Sequence, residues 1–405
     1  EISLTERPFF FEQKGNYVFV GIRQAGKSYL LYQRIQQLLR EEHNINEIVY
    51  INFDDERLRQ MTADDLDLIL QAYHSLFDLR PLLFFDEIQN IEGWEHFARR
   101  LANQKYNIYI TGSNAKMLSR EIATTLGGRF WNKDVYPYSF AEYLNARNII
   151  LSKNWMYGKQ AAEVSKAFND YFLYGGFPEL TDVIAKRVWL NDIYSKIFFS
   201  DLIVRNKVRN EEALGLLVRR LAENVKQPVS YTRLANLISS IGIKISKATV
   251  IEFIRYLKES CLIFPIENYA AKFAERNSNM KHYFIDNGLL SIFLLDGNTS
   301  LLENIVAIHL YKRYGAQLHF YNQNIEVDFI IPEAKTAIQV SYSLMDETTC
   351  RREVEGLIKL NRVFPMDNMC IITRDEERII THESGVSIHV IPVWKWLLEE
   401  EPLRT

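Results

Sequence analysis

Eight consecutive residues near the start of the chain have the composition of a phosphate-binding loop. Residues 21–28 read Gly-Ile-Arg-Gln-Ala-Gly-Lys-Ser and fit the pattern G-x-x-x-x-G-K-[ST]. Glycines let backbone amides curve around phosphate oxygens, and the amino end of the following helix adds partial positive charge. We expect Lys27 to reach the outer phosphates of ATP and the Ser28 hydroxyl to bind Mg²⁺. The residues predicted to contact the nucleotide are Gly21, Arg23, Gln24, Ala25, Gly26, Lys27, Ser28 and Tyr29.

Two adjacent carboxylates, Asp86 and Glu87, follow the apolar run 82–85. Open α/β sheets bind ligands at the carboxyl ends of their strands, so we expect this pair to lie near the phosphate loop. Asp86 is predicted to hold Mg²⁺ through its water shell, and Glu87 to orient and polarise the attacking water. A glutamate beside the aspartate favours hydrolysis over nucleotide sensing alone. The alternative is that both residues cap the next helix.

Three further polar residues are candidates for sensing or stabilising the γ-phosphate. Asn114 or Ser113, in Thr-Gly-Ser-Asn at 111–114, would lie between the loop and Asp86, with a helix cap as the alternative. Arg129, after Gly127-Gly128, is predicted to stabilise transition-state charge in its own chain or in a neighbouring one. A structural ion pair is the alternative for Arg129.

The elements that must position these residues alternate between short apolar runs and helical patterns. Apolar runs at 17–20, 48–53, 82–85 and 108–110 predict strands, and 27–40 predicts a helix. Runs of this length suit strands that are buried on both faces of a parallel sheet. Their alternation with helices predicts a doubly wound α/β domain.

The rest of the chain predicts two further groups of elements. Residues 230–237 and 246–259 predict two short helices joined by a polar turn, and 261–266 predicts a strand, as in a helix-turn-helix with a wing. Beyond residue 280 the pattern is mixed. It predicts helices at 301–312 and 354–360 and strands at 325–331, 337–341, 369–372 and 386–391.

Composition limits the partners. The 405 residues carry a net charge of −3, and no apolar run approaches the length of a membrane span, so we expect a cytoplasmic protein without a membrane partner. Only 206–276 is basic, with 12 Lys and Arg against 7 Asp and Glu. Lys247 and Thr249 are predicted to reach base edges of DNA, and Arg233 and Lys244 to contact phosphates. The alternative is that this segment only docks on the nucleotide lid. The predicted recognition helix carries Ser246, Lys247, Thr249, Arg255 and Lys258.

The chain resembles a family of prokaryotic AAA-type ATPases fused to a carboxy-terminal domain of unknown function. Besides the motifs above, the resemblance rests on the segments at 136–142, 175–178 and 283–288, which read Tyr-Pro-Tyr-Ser-Phe-Ala-Glu, Gly-Gly-Phe-Pro and Tyr-Phe-Ile-Asp-Asn-Gly. It implies an additional-strand P-loop ATPase core at 1–147 and a helical lid at 148–207. A winged helix at 208–275 and a restriction-endonuclease-like α/β domain at 276–405 would follow. It also suggests that Pro178 lies near the adenine, with a turn proline as the alternative.

The endonuclease-like resemblance implies a helix Glu, a strand Asp and a Glu/Gln-x-Lys element. Glu303, Asp328 and Gln339 match the first three positions, whereas Ser341 stands where the lysine belongs. Without that cation nothing steadies the charge of a phosphate undergoing attack, unless Lys335 or Lys359 compensates. We therefore expect a degenerate nuclease site that is kept for binding. The alternative is that Glu303 and Asp328 are ordinary surface caps.

These features together predict a Mg²⁺-dependent ATPase whose nucleotide state is coupled to a winged helix and a nuclease-like, partner-binding domain. One alternative is a nucleotide-gated, DNA-binding regulator with slow turnover. Another is an ATP-driven, metal-dependent DNA nuclease, which Ser341 disfavours. Protein partners and an oligomer are compatible with each of these functions.

Overall fold

The computed structural model of the chain describes residues 4–12, 14–114, 117, 120–272, 276 and 278–399. The backbone divides into two units. The first is Glu1–Pro137 with Glu259–Cys261, and the second is Tyr138–Lys258 with Leu262–Thr405. Within the described ranges, no helix combines the length and apolar character that crossing a membrane requires.

The first unit contains five parallel strands in the order β2-β3-β4-β1-β5. The strands are β1 (Tyr17–Val20), β2 (Ile48–Asn52), β3 (Leu82–Asp86), β4 (Asn107–Gly112) and β5 (Trp131–Asp134). The helices are α1 (Lys27–Arg40), α2 (Asp67–Leu76), α3 (Trp94–Asn103) and α4 (Arg120–Leu126). Short 3-10 helices lie at Ile45–Glu47, Glu56–Leu58, Ala63–Leu66 and Ile88–Asn90. The predicted α/β architecture with a parallel sheet is confirmed, and β4 is a strand inserted between β1 and β3.

Both faces of this sheet are buried, which explains the continuous apolar runs of β1, β3 and β4. On one face the rings of Tyr17, Phe84 and Tyr109 stack, with centroids 4.7 Å apart for the last pair. On the other face Val18, Leu83, Phe85, Ile108 and Ile110 pack with apolar residues of α3. Packing on both faces therefore fixes the buried strands relative to one another. Because the strands are parallel, their carboxyl ends lie together along one side of the sheet.

The second unit contains more helices and a long mixed sheet. Its helices are α5 (Phe140–Ala146), α6 (Lys159–Tyr174), α7 (Lys186–Lys196), a π-helical segment (Ile197–Val204), α8 (Glu211–Glu223), α9 (Tyr231–Ser239), α10 (Lys247–Glu259), α11 (Asn287–Ser291), α12 (Asn298–Tyr314), α13 (Glu347–Val363) and α14 (Val393–Glu399). Its strands are β6 (Val229–Ser230), β7 (Ile263–Asn268), β8 (Asn279–Phe284), β9 (His319–Asn322), β10 (Glu326–Ile331), β11 (Thr336–Val340), β12 (Asn368–Thr373), β13 (Arg378–Thr381) and β14 (Ser387–Pro392). Further 3-10 helices lie at Trp155–Tyr157, Pro178–Thr181 and Gly315–Gln317.

The nine strands of the second unit follow the order β13-β14-β12-β11-β10-β9-β7-β8-β6. Strands β6, β8 and β7 are antiparallel and accompany the helix pair α9 and α10. Strands β10, β11, β12 and β14 pack with α13 in one apolar core. Every helix and strand that the sequence predicts beyond residue 280 is present. Helices α12 and α13 and strand β12 are longer than predicted, whereas the bounds of β10, β11 and β14 differ from the predicted ones by a single residue.

Candidate nucleotide-binding site and a second polar cavity

The predicted phosphate loop joins the end of β1 to the start of α1. Two of its residues have positive φ, Gln24 at 61° and Gly26 at 91°. A β-carbon on Gly21 would lie 1.9 Å from the carbonyl oxygen of Val135, so only glycine fits there. The loop is thus shaped by close backbone packing, and the amino end of a fourteen-residue helix lies directly behind it.

Lys27 folds its side chain back into the loop. It is only 4% exposed, and its Nζ donates to the carbonyl oxygens of Gly21 at 3.2 Å and Ile22 at 3.1 Å. The same Nζ lies 3.6 Å from a carboxylate oxygen of Glu87. The structure therefore brings the loop lysine and the predicted catalytic carboxylate together. Of the other loop residues, Ala25 is buried, Arg23 and Ser28 are half-buried and Tyr29 is exposed.

Asp86 ends β3 and is 2% exposed. Tyr50, on the neighbouring strand, donates its hydroxyl to one Asp86 carboxylate oxygen at 2.7 Å, and the Thr111 hydroxyl donates to the other. Burial, the hydroxyl of Tyr32 and the negative charge of Asp86 all raise the pKa of Tyr50, so this phenol remains a donor. Two fixed hydroxyl groups therefore orient the carboxylate.

Glu87 has a left-handed backbone, with φ at 53°, and its amide donates to the Thr111 hydroxyl at 2.9 Å. Its carboxylate accepts hydrogen bonds from Gln89, at 2.5 Å, and from Ser113. Burial by itself would raise the pKa of Glu87, but the Lys27 charge and these donors lower it below its ordinary value. Glu87 is therefore held as an ionised acceptor.

Three residues of this cluster were missed by sequence reasoning. Tyr50, Thr111 and Gln89 connect Asp86 and Glu87 to neighbouring strands and to the turn after β3. Thr111 lies at the carboxyl end of β4, and its place in a polar string after an apolar run was the available signal. Gln89 and Tyr50 carry no comparable signal, because amides and phenols are common in turns and strands.

The structure places the other γ-phosphate candidates, Ser113, Asn114 and Arg129, at opposite ends of the strands. Ser113 is buried within the cluster, whereas Asn114 is half-buried and accepts a turn hydrogen bond from Met117 through its carbonyl. Arg129 lies at the amino ends of the strands, because it comes just before Trp131, which pairs with Tyr17 at the start of β1. It is exposed, precedes β5 and receives a hydrogen bond from Asn16, which precedes β1. This placement is at the opposite end of the strands from the phosphate loop. The predicted role of Arg129, in its own chain or in a neighbouring one, stays a prediction.

In the second unit, two segments that underlie the family resemblance pack against each other. Gly176 donates its amide to Asp286 at 2.7 Å, and the same carboxylate accepts from the amide of Gly288 at 2.8 Å. Burial raises the pKa of Asp286 to about 6, although these backbone donors oppose the shift. Pro178 is the first residue of the 3-10 helix that follows. Asp286 therefore ties the Gly-Gly-Phe-Pro turn to the start of α11.

We expect Gly175→Ala to destabilise the protein by about 3 kcal/mol or more, measured by denaturant or thermal unfolding. The backbone of Gly175 has φ at +78°, and a β-carbon there would lie 2.0 Å from an Asp286 carboxylate oxygen. Displacing Asp286 would leave buried amides without their acceptor. Gly158→Ala is the matched control, because no atom lies within 4 Å of its β-carbon position. Equal stabilities of the two variants would contradict the proposed role of the turn.

The predicted endonuclease-like residues also come together. Glu303 of α12, Asp328 of β10 and Gln339 of β11 line one cavity of about 550 Å³. Lys359 lies on the cavity wall, paired with Glu355 at 3.8 Å, and the exposed Lys335 pairs with Asp367 at 3.6 Å. Neither reaches Glu303 or Asp328. The cation that does so is Lys281 of β8, which sequence reasoning did not find.

Two known families match parts of the chain. The family described as AAA domain matches residues 13–144, and a domain of unknown function, DUF8612, matches residues 165–300. The first match includes the phosphate loop, Asp86 and Glu87, so this part of the chain is similar to an AAA domain. The second includes α9, α10 and Asp286 but reaches only the first part of the predicted endonuclease-like domain.

Full-length relatives decide the family. The uncharacterized protein MJ1544 of Methanocaldococcus jannaschii is 34% identical over 395 residues, which span 94% of this chain and 88% of the relative. The chain belongs to the same protein family as MJ1544. An uncharacterized protein of Haemophilus influenzae is 30% identical over 393 residues, which span 94% of each protein. These alignments include residues of both units, so the family shares more than its AAA domain.

Solved structures resemble the chain only distantly. The Walker-type ATPase PABY2304 of Pyrococcus abyssi gives a TM-score of 0.44 at 13% identity, covering 69% of this chain and 91% of that one. The Aeropyrum pernix ORC1 protein in complex with DNA gives 0.30 at 14% identity, covering 73% and 88%.

Proposed function

We propose that the AAA domain binds ATP with Mg²⁺ and hydrolyses it. The observation that carries the proposal is the 3.6 Å approach of Lys27 to Glu87, beside Asp86, at the edge where the phosphate loop begins. A loop cation, an ordered carboxylate for the metal and an ionised carboxylate for water make up the main parts of phosphoryl-transfer chemistry. Their closeness in one unit favours catalysis over a purely structural use of any of them.

The donors present fit a magnesium ion. Magnesium prefers oxygen ligands and keeps several of its waters, so a hydroxyl and one carboxylate suffice. Ser28 and Asp86 would supply these two groups, and Tyr50 with Thr111 already fixes the Asp86 carboxylate. Mg²⁺ would contribute positive charge that neutralises phosphate oxygens.

Each protein group then has a defined task. The ammonium of Lys27, which donates to two loop carbonyl groups, would exchange these acceptors for phosphate oxygens. Glu87 would accept a hydrogen bond from the attacking water and orient it. Gln89 and Ser113 hold the Glu87 carboxylate in place, so its position does not depend on the nucleotide alone.

The test is steady-state ATP hydrolysis by the purified full chain, with and without Mg²⁺ and with and without duplex or single-stranded DNA. We expect magnesium-dependent turnover. Binding of ATP without any turnover, under all of these conditions, would leave the protein a nucleotide sensor. A rise in turnover on addition of DNA would make nucleic acid a coupled ligand, and no change would favour a protein partner or self-assembly.

A second candidate function is DNA binding by the segment from α8 to β8. The order helix, short strand, two helices and two antiparallel strands supports a winged helix, in which the last helix would read the major groove. On α10 the basic residues Lys247, Arg255 and Lys258 are exposed, as are Arg233 and Lys244 outside it. Glu252 lies 4.0 Å from Arg255 and reduces the positive charge of the same surface.

We expect DNA affinity to fall with rising salt. At a given low salt concentration, Lys247→Ala should bind DNA more weakly than the wild type. A plot of log affinity against log salt has a negative slope, and each lost phosphate contact makes this slope less steep by about 0.9. The measurement is fluorescence anisotropy with a labelled duplex, in the presence of ATP or ADP. Lys159→Ala, at the exposed start of α6, is the control and should behave as the wild type. Equal binding by all three proteins would exclude α10 as the contact, and a difference between ATP and ADP would support nucleotide gating.

We further propose that the carboxy-terminal domain is a binding domain with an endonuclease-like fold whose contacts change with the nucleotide state. Glu303, Asp328 and Gln339 support the likeness, because residues from α12, β10 and β11 line the same cavity. Ser341 donates to the carbonyl of Ser343 and supplies no cation. Lys281, which does reach Glu303 and Asp328, is fully buried and paired with these carboxylates, so it is not open to a phosphate. Binding therefore suits this cavity better than cleavage.

A further inference from the structure

A fully buried lysine lies inside the carboxylate cluster of the second unit. The Nζ atom of Lys281 is 3.2 Å from an oxygen of Glu303, 3.3 Å from one of Asp328 and 3.9 Å from one of Glu326. Its side chain has 0% exposure. A buried ammonium must be neutralised by nearby anions, and the three carboxylates meet this need. The cluster and the lysine are therefore mutually dependent.

Several of the oxygen atoms that a metal would need are already engaged. Tyr283 donates its hydroxyl to the same Glu303 oxygen at 2.7 Å, and the Val340 amide donates to the second Asp328 oxygen at 2.9 Å. Gln339 accepts from the Asp328 amide at 2.9 Å and donates to the Glu326 carbonyl at 3.1 Å. Both polar atoms of the Gln339 side chain are thus hydrogen-bonded to the backbone of β10.

The residues present therefore do not fit the divalent metal that an endonuclease-like fold implies. Such an ion needs several oxygens at about 2.0–2.6 Å, and here a permanent positive charge lies between the two central carboxylates. Over the part of the chain that the structure describes, no three His, Cys, Asp or Glu residues are grouped to hold a metal ion. Lysine and metal would compete for the same negative charge.

We propose that the ammonium of Lys281 occupies the cation position of this cluster, so that the site is complete without a divalent metal and becomes a metal site only when Lys281 is removed. The lysine comes from β8, an antiparallel strand, rather than from the strand that carries Gln339. The site thus keeps the acidic residues of a nuclease-like pattern but uses them to hold an internal cation. This proposal is independent of ATP hydrolysis.

The test is a Mn²⁺ titration followed by electron paramagnetic resonance, on the full chain without nucleotide. We expect the Lys281→Ala chain to bind Mn²⁺ roughly a hundredfold or more tightly than the wild type, because one positive charge about 4 Å away has been removed. Mn²⁺ should also raise the unfolding temperature of this variant. Both gains should disappear when Asp328→Asn is added. Lys359→Ala, which removes a lysine of the same cavity outside the cluster, should gain nothing.

Two outcomes would overturn the proposal. One is saturable Mn²⁺ binding by the wild type that is lost in Asp328→Asn, since the carboxylates would then hold a metal beside Lys281. The other is a folded Lys281→Ala chain with no gain in Mn²⁺ binding. Should Lys281→Ala fail to fold, Mn²⁺ binding by the wild type is compared with that by Asp328→Asn. Equal binding supports the proposal, and weaker binding by Asp328→Asn overturns it, because only a cluster that holds the metal would make the two proteins differ.

Discussion

Replacing Lys27 by alanine is expected to lower ATP turnover by about a hundredfold to a thousandfold. The ammonium is the cation of the loop that approaches Glu87, and it is buried, so surrounding water does not replace its charge. Its loss removes a donor aimed at the phosphates and also leaves Glu87 without its nearest positive partner. The measurement is steady-state phosphate release at saturating ATP and Mg²⁺.

Lys133→Ala is the matched control for this variant. Lys133 is a lysine of the same sheet, but it lies exposed on β5. Its turnover and unfolding temperature should equal those of the wild type. If Lys27→Ala kept full turnover while remaining folded, the phosphate loop would not be the hydrolytic site, and the proposed ATPase function would fail with it.

The first unit shows what a single sequence predicts well. Strands β1, β3 and β4 were predicted because burial on both faces makes them continuously apolar, as in Leu82–Asp86 before its terminal carboxylate. Strand β2 is only half-buried but also carries an apolar run. Strand β5 was missed because its sequence, Trp-Asn-Lys-Asp at 131–134, contains only one apolar residue. All four residues are exposed, so the strand needs no apolar run and the sequence shows none. It pairs with β1 through backbone hydrogen bonds, which the sequence does not display.

The two sites differ in how much of each could be predicted. At the phosphate loop, Gly21, Lys27 and Asp86 belong to motifs whose spacing is set by a single strand-loop-helix unit and the next strand. Thr111 and Tyr50 reach the same cluster only because parallel pairing puts the ends of β2, β3 and β4 together. Side chains that act from neighbouring strands are therefore found by topology rather than by spacing.

Lys281 is the strongest example of this limit. Spacing along β11 pointed to position 341 for the cation, where serine stands, and the two substitutes that the sequence offered, Lys335 and Lys359, pair with other carboxylates. The structure supplies the cation from β8, far away in sequence, through the pairing of β8 with β7 and of β7 with β9.

Glu87→Gln is expected to lower turnover by about a hundredfold or more while the chain still binds ATP. The amide keeps the size of the side chain and can still bond to Ser113 and Gln89, but it cannot accept a proton from water or polarise it. Removing the negative charge also removes repulsion between residue 87 and the phosphates, so affinity for ATP should be equal or higher. Turnover is measured by phosphate release and affinity by equilibrium binding of a fluorescent ATP analogue.

Glu92→Gln provides the control, since Glu92 is exposed and lies five residues further along the same connection. Normal turnover in Glu87→Gln would assign the water to another acceptor, with Lys27 and Asp86 still holding the nucleotide. Loss of both binding and turnover would instead show that Glu87 is needed to position Lys27. The two variants Lys27→Ala and Glu87→Gln thus separate the roles of two residues that form an ion pair. If Lys27 binds phosphate and Glu87 acts on water, only Lys27→Ala should weaken ATP binding.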